Sequence, residues 1–117
     1  MPTTSEVVDR HMKCFAERDL DGVLADYSPD AVLFTPGRKL KGLGDLKPFF
    51  QAFLAEFAKP GASFSMREQS ADGDYAYILL WSAESADNSY ELATDTFVVR
   101  NGKIVAQSFA AKITPKV

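Results

Sequence analysis

The sequence predicts an α+β domain in which three helices cover the concave face of a curved, mostly antiparallel sheet. Three observations carry that prediction. Up to about Phe57 the apolar residues recur at steps of three and four, and after Ala62 they alternate. Turn clusters at Ala71-Asp72-Gly73-Asp74 and Asn101-Gly102 then cut the second half into long strands. Helices gathered before strands fit α+β rather than an alternating parallel arrangement.

The first helix is expected from the cap oxygens of Thr3, Thr4 and Ser5 to about Arg18, with Glu6 and Asp9 supplying first-turn negative charge. Val8, His11, Met12 and Phe15 share one of its faces, which sets the chain's one histidine on or beside the buried stripe. Asp19 to Tyr27 reads as a second short helix ended by Ser28-Pro29-Asp30, because proline cannot continue the ladder. A short strand, Ala31 to Thr35, stops at Pro36-Gly37, and Arg38 to Gly42 reads as a basic loop. A third helix from about Leu43 to Phe57 carries Leu46, Phe49, Phe50, Phe53, Leu54 and Phe57 on a wide aromatic stripe, with Pro48 tolerated near its first turn.

Strands follow at Ala62–Ser70 and Tyr75–Ser85, the second apolar on both faces and so expected at the sheet centre. The final hairpin, Asn88 to Lys112, turns at Asn101-Gly102. A two-residue loop would pair Arg100 with Lys103 and set Asp95 opposite Ser108. A three-residue loop with Gly102 as the bulge would pair Val99 with Lys103 and set Asp95 opposite Gln107. The second register is preferred, because it gathers Asp95, Phe97, Val99, Val105, Gln107 and Phe109 on one face.

At 117 residues the chain fits one domain, residues 1–117, able to bury a core without metal or disulfide. Net charge is −3 and the 13 basic residues are scattered, which argues against nucleic acid as a partner. Lone Cys14 permits no intrachain disulfide and is expected as an inert buried thiol. No apolar run approaches the roughly 20 residues of a membrane span. The first residues lack a basic flank followed by an apolar core, so a cytoplasmic protein is expected. No His, Cys, Asp and Glu spacing suggests a metal site, and no cofactor is implied. The Arg38-Lys39-Leu40-Lys41 loop is expected to be solvated, or to attract an anionic ligand at a pocket mouth.

Asp19-Leu20-Asp21-Gly22, Tyr27-Ser28-Pro29-Asp30-Ala31, Gly42 before the third helix, and the run from Asp95 to Val105 together resemble the nuclear transport factor two-like superfamily. That group includes ketosteroid isomerase and the SnoaL-like polyketide cyclases. The resemblance extends over nearly the whole chain and implies a cone-shaped fold around an enclosed pocket. Ketosteroid isomerase, in which an Asp base works beside an oxyanion site made of a tyrosine and a protonated Asp, sets the comparison. By that resemblance the oxyanion tyrosine falls on His11, the base on Thr35 and the second donor on Asp95. Tyr27 matches a supporting tyrosine, and Phe50 stands where another tyrosine would. A threonine hydroxyl cannot accept a proton as a carboxylate does, so the steroid isomerase reaction itself is not implied.

If the cone is built as in that family, the pocket is lined by His11, Phe15, Tyr27, Thr35, Phe50, Leu54, Phe57, Leu79, Trp81, Asp95, Phe97, Gln107 and Phe109. Asp95 is then either a satisfied structural carboxylate bonded to Thr35, His11 or Gln107, or a desolvated acid paired with His11. Three functions follow. The pocket holds a small hydrophobic molecule without turnover, or a cofactor-free isomerase or cyclase acts on a carbonyl-bearing substrate through Asp95 and His11. The third is an interaction module, with Ile78, Leu80, Val98 and Ile104 on an outer sheet face that forms a homodimer or a hetero-interface.

Overall fold

The computed structural model describes residues 2–73 and 76–116, and for residues 76–79 only the backbone. Helix α1 (Thr4–Ala16) starts with a reciprocal box: Thr3 Oγ1 accepts from the Glu6 N–H at 3.1 Å, and Glu6 accepts from the Thr3 N–H at 3.0 Å. It stops where Arg18 takes a left-handed conformation, φ +55. Asp19 then caps α2 (Leu20–Ala25) through the Gly22 N–H at 3.0 Å. Gly22 suits the close packing there, because a Cβ would meet Asp19 Oδ2 at 2.5 Å and Cys14 Sγ at 2.7 Å unless those side chains shifted.

Strand β1 (Tyr27–Thr35) begins earlier than expected, at Tyr27 itself. The expected basic loop is instead strand β2 (Arg38–Lys41), paired antiparallel with β1 across the Pro36-Gly37 turn. Gly37 at φ +75 closes that hairpin, and Leu40 turns inward to the core, which a solvated loop would not require. Gly42 (φ +82) leads into α3 (Leu43–Ala58). Pro48 lies inside α3, beyond the first turn, so the helix lacks one backbone bond at the exposed Gly44. Glu56 near the far end accepts from Ser85 Oγ (2.5 Å), Asn88 Nδ2 (3.1 Å) and Tyr90 Oη (2.9 Å), which fastens α3 to the open end of the sheet.

The remaining strands are β3 (Ser63–Asp72), β4 (Ala76–Glu84), β5 (Asn88–Arg100) and β6 (Lys103–Pro115). Six strands run in the order β2-β1-β6-β5-β4-β3, antiparallel except where β1 lies parallel to β6. The three helices pack on this curved sheet, as the residue patterning predicts. The core between them holds Val7, Val8, Val23, Leu33, Leu46 and Phe97.

The preferred three-residue loop does not form, and the two-residue register holds only beside the turn. Arg100 pairs with Lys103 and Val99 with Ile104 across a two-residue turn, with Asn101 at φ +54 and Gly102 at φ +73. A register shift between Val98 and Val99 then sets Phe97 opposite Gln107 and Asp95 opposite Phe109. The bulge restores the inward set of the preferred register except at one place: Ile104 turns in, fully buried, and Val105 does not. Ile104 is therefore not on the outer face, and its N–H bonds the Asp26 carbonyl at 2.8 Å. Of the other outer-face residues, Leu80 and Val98 are half-buried, and the Ile78 side chain lies outside the described residues.

Gly102 holds a positive φ that a Cβ disfavours by roughly 1–2 kcal/mol. Gly102→Ala should therefore lower unfolding free energy by about that amount in urea titration, with the slope unchanged. A variant as stable as the parent would show that the turn does not constrain the register.

Candidate functional site

The helices do not fill the concavity. Between α1, α3 and the inner faces of β1 and β3 to β6 lies a cavity of about 460 Å³, walled by Phe15, Leu33, Phe50, Leu54, Phe57, Trp81, Phe97 and Phe109, with Asp95, Gln107 and His11 as its inner polar groups. Its size and apolar walls suit a small organic molecule. Phe49 and Phe53 of α3, Met12 of α1 and Phe64 and Met66 of β3 complete the wall. Helical spacing marked the α3 pair as apolar; nothing local marked Phe64, which borders the cavity from β3 while half exposed.

Asp95 sits on this wall, 7% exposed. Its Oδ1 accepts from Gln107 Nε2 at 2.9 Å and its Oδ2 from Trp81 Nε1 at 2.8 Å. Both donors are neutral, so they do not offset what burial removes from the ionised form. Desolvation pushes the carboxyl up to about 6, against the opposing pull of the two hydrogen bonds. Gln107 Oε1 in turn accepts from the Tyr27 hydroxyl.

Tyr27 Oη lies 3.1 Å from His11 Nε2, and His11 Nδ1 lies 3.2 Å from Asp26 Oδ2. Arg10 closes the series on Asp26 Oδ1 at 2.7 Å. Among the described residues no buried side-chain nitrogen or oxygen is left without a partner. His11 is fully buried, boxed edge-on by Phe15, Tyr27, Phe50 and Phe97. Burial lowers its pKa, outweighing the raising effect of Asp26. Asp26 is also desolvated, yet hydrogen bonds from His11 and Arg10 hold it below its usual range. Burial, then the Asp95 and Asp26 charges, push the Tyr27 phenol up.

Several expected site residues sit elsewhere. Tyr27 is buried behind the wall, stacked on Phe50, and does not line the cavity. Thr35 lies at the end of β1, its hydroxyl 3.5 Å from the Arg38 carbonyl, and neither lines the cavity nor reaches Asp95. Leu33, one inward step earlier on β1, takes that place in the wall. His11 and Asp95 do not touch; Tyr27 and Gln107 stand between them. The Leu79 side chain lies outside the described residues. The cation at the cavity is Arg18, not Arg38 or its neighbours. Cys14 is half-buried, and burial raises its thiol pKa. Asp26 was invisible to sequence reasoning, since nothing local separates it from the acidic residues of α2. Among the described residues no cluster of three His, Cys, Asp or Glu could hold a metal ion. No described helix is long and apolar enough to cross a membrane.

Raising Asp95 from 3.8 to about 6 has a stability consequence. The folded state binds that proton more tightly than the unfolded state, so its contribution is largest at low pH and is lost as pH rises through about 6. Asp95→Asn removes this loss. The stability difference, variant minus parent, should shift in favour of the variant by on the order of 2–3 kcal/mol between about pH 4 and pH 7.5. Urea titrations across that range check it, and a difference independent of pH would contradict it.

Comparison with known proteins places this architecture. The family model described as SnoaL-like domain matches residues 8–107. No curated protein matches the chain. Among solved structures it is similar to the epoxide hydrolase/cyclase-like enzyme SalBIII of pyran ring formation in the polyether salinomycin, at 16% identity and TM-score 0.80, over 96% of this chain and 95% of that one. An NTF2-like protein of unknown function from Mesorhizobium loti aligns at 22% identity and TM-score 0.78, over 93% and 90%. A candidate polyketide cyclase from Sinorhizobium meliloti aligns at 20% and 0.70, over 93% and 94%. At such identities the structures speak for the fold alone, and the family match, spanning most of the chain, shows that it belongs to the SnoaL-like domain family.

Proposed function

We propose that the cavity binds a small, largely apolar, carbonyl-bearing molecule and that Asp95 moves a proton on it without a cofactor, as an isomerase or cyclase. The carrying observation is that, among the described residues, one carboxyl group lies on a largely apolar wall, held by two neutral donors and pushed up to about 6. A group titrating near there is ionised often enough to take a proton at neutral pH and basic enough to do so usefully. In an isomerisation the carboxylate removes a proton from the carbon beside the carbonyl, and the resulting acid returns it to a second carbon. Asp95 ends as it began, and no electrons leave the substrate. In a cyclisation the same proton passes to the carbonyl oxygen as the ring bond forms. His11 has both nitrogens engaged, so it acts through Tyr27 and not on the substrate.

A second reading is supported by the lining, in which Asp95 has no second carboxylate beside it among the described residues: the cavity holds its ligand without turnover. Under either reading the protein would be cytoplasmic and could pair through the outer sheet face around Leu80 and Val98.

Trp81, the chain's one tryptophan, borders the cavity and is the natural reporter. Steroids and aromatic polyketides should change its fluorescence on binding, and binders assayed for turnover should show kcat/KM rising with pH through about 6, the value to which Asp95 is pushed. Asp95→Asn should keep binding and lose on the order of 10²–10⁴ in rate. Full turnover by that variant sinks the proposal, and binding with no turnover in the parent selects the second reading.

A further inference from the structure

Along the buried series each donor must meet an acceptor, and that requirement restricts where the protons can sit. Asp26 faces the imidazole as an acceptor, so His11 Nδ1 must carry a proton whether the ring is charged or neutral. The state of the remaining groups then hinges on one hydroxyl hydrogen and one amide. If His11 is an imidazolium, Nε2–H donates to the Tyr27 oxygen, the Tyr27 hydroxyl donates to Gln107 Oε1, and Gln107 Nε2 donates to an ionised Asp95. Every contact then joins one donor to one acceptor.

If His11 is neutral, Nε2 is an acceptor and the Tyr27 hydroxyl turns to it. Gln107 must then offer its amino end to the Tyr27 oxygen and its carbonyl to Asp95, which satisfies the contact only if Asp95 is the protonated acid. The two arrangements contain the same number of protons. With one proton fewer, some contact in the series sets two acceptors face to face, at a cost of about 1–3 kcal/mol for a buried group; one proton more is held without such a clash only if Asp95 Oδ2 carries it toward the cavity.

We infer that His11 and Asp95 share one proton, and that Tyr27 and Gln107 are positioning residues that couple its two sites, the Gln107 amide rotating by half a turn as the proton changes residence. Moving the proton from His11 to Asp95 neutralises both groups at once and leaves the net charge of the site unchanged. The charged and titratable groups facing the series are Arg10 and Asp26 at the His11 end, Tyr27 between and Arg18 on the cavity that His11 and Asp95 share; among the described residues Asp95 hydrogen-bonds to Trp81 and Gln107. The inference rests on and deepens the proposed role of Asp95, since it names what keeps that acid supplied on an apolar wall, but its test needs no substrate.

His11 is the chain's one histidine, so its ring nitrogens give unambiguous NMR signals in protein labelled at histidine. Asn at position 95 must turn its oxygen to Trp81 Nε1–H and its amino group to Gln107, which fixes the arrangement with neutral His11. Asp95→Asn should therefore lower the His11 titration midpoint by about one pH unit or more, a tenfold change. Loss of the Asp95 charge alone acts in the same direction, so the comparison is repeated with Gln107→Met in both chains. There the series is cut and the charge remains, and the Asp95 effect should fall to less than half. Tyr27→Phe cuts the series at a second place and should do the same. An equal shift in intact and interrupted chains overturns the coupling, as does no shift in the intact one. Because neither turnover nor ligand enters, failure of the catalytic proposal leaves this result standing, and the reverse also holds.

Discussion

One row of buried hydrogen bonds ties this fold together. From Arg10 and His11 on α1 it passes through Asp26 at the end of α2 and Tyr27 on β1, then to Gln107 on β6, Asp95 on β5 and Trp81 on β4. Those four strands are consecutive neighbours in the sheet, so the row crosses the concave face in sheet order. Each link leaves a buried polar atom unpaired if its partner moves, which makes the row a strong constraint on how the first helix docks and on the register of the last hairpin.

The row also explains how an apolar cavity can hold an ionisable group. A buried carboxylate with no partners would be costly to ionise and would simply stay protonated. Two neutral donors reduce that cost without abolishing it, and Asp95 is left poised near 6 instead of far above or below. Asp26 illustrates the opposite case: it is as deeply buried, yet His11 and the Arg10 guanidinium keep it ionised. Two carboxyl groups a few side chains apart thus differ in state because one faces the Arg10 guanidinium as well as His11 and the other faces neutral dipoles.

Much of the architecture was legible because helical and strand periods, caps and turn residues act over short distances. Thr3 with Glu6, Asp19 with Gly22, and Asn101-Gly102 each act within a few residues, and each acts as its residue types suggest. One departure is local, a turn of two residues where three were preferred; the others involve longer distances. Arg38–Lys41 became a strand because β1 offered it an edge to pair with, and its charges point out while Leu40 points in. Ile104 replaced Val105 on the inner face because a bulge, set by the fit of the whole hairpin, shifted the strand by one residue. Thr35 lies beyond the cavity because β1 pairs with β6 such that Leu33, not Thr35, stands opposite Gln107.

What the sequence determined by itself is the class of fold, its cone of helices on a curved sheet, and the presence of an inward carboxylate among aromatic residues. Alternation on β5 suffices for that, since moving Asp95 outward would expose Phe97 and Val99 with it. Tertiary structure alone decided which polar groups meet. His11, Tyr27, Gln107 and Asp95 are spread from the first helix to the last strand, and no local pattern records that a hydroxyl and an amide would come between the two titratable groups. Hydrogen bonds are directional over about 3 Å, a tolerance finer than periodicity can specify, so only the packed fold could turn four scattered residues into one connected site.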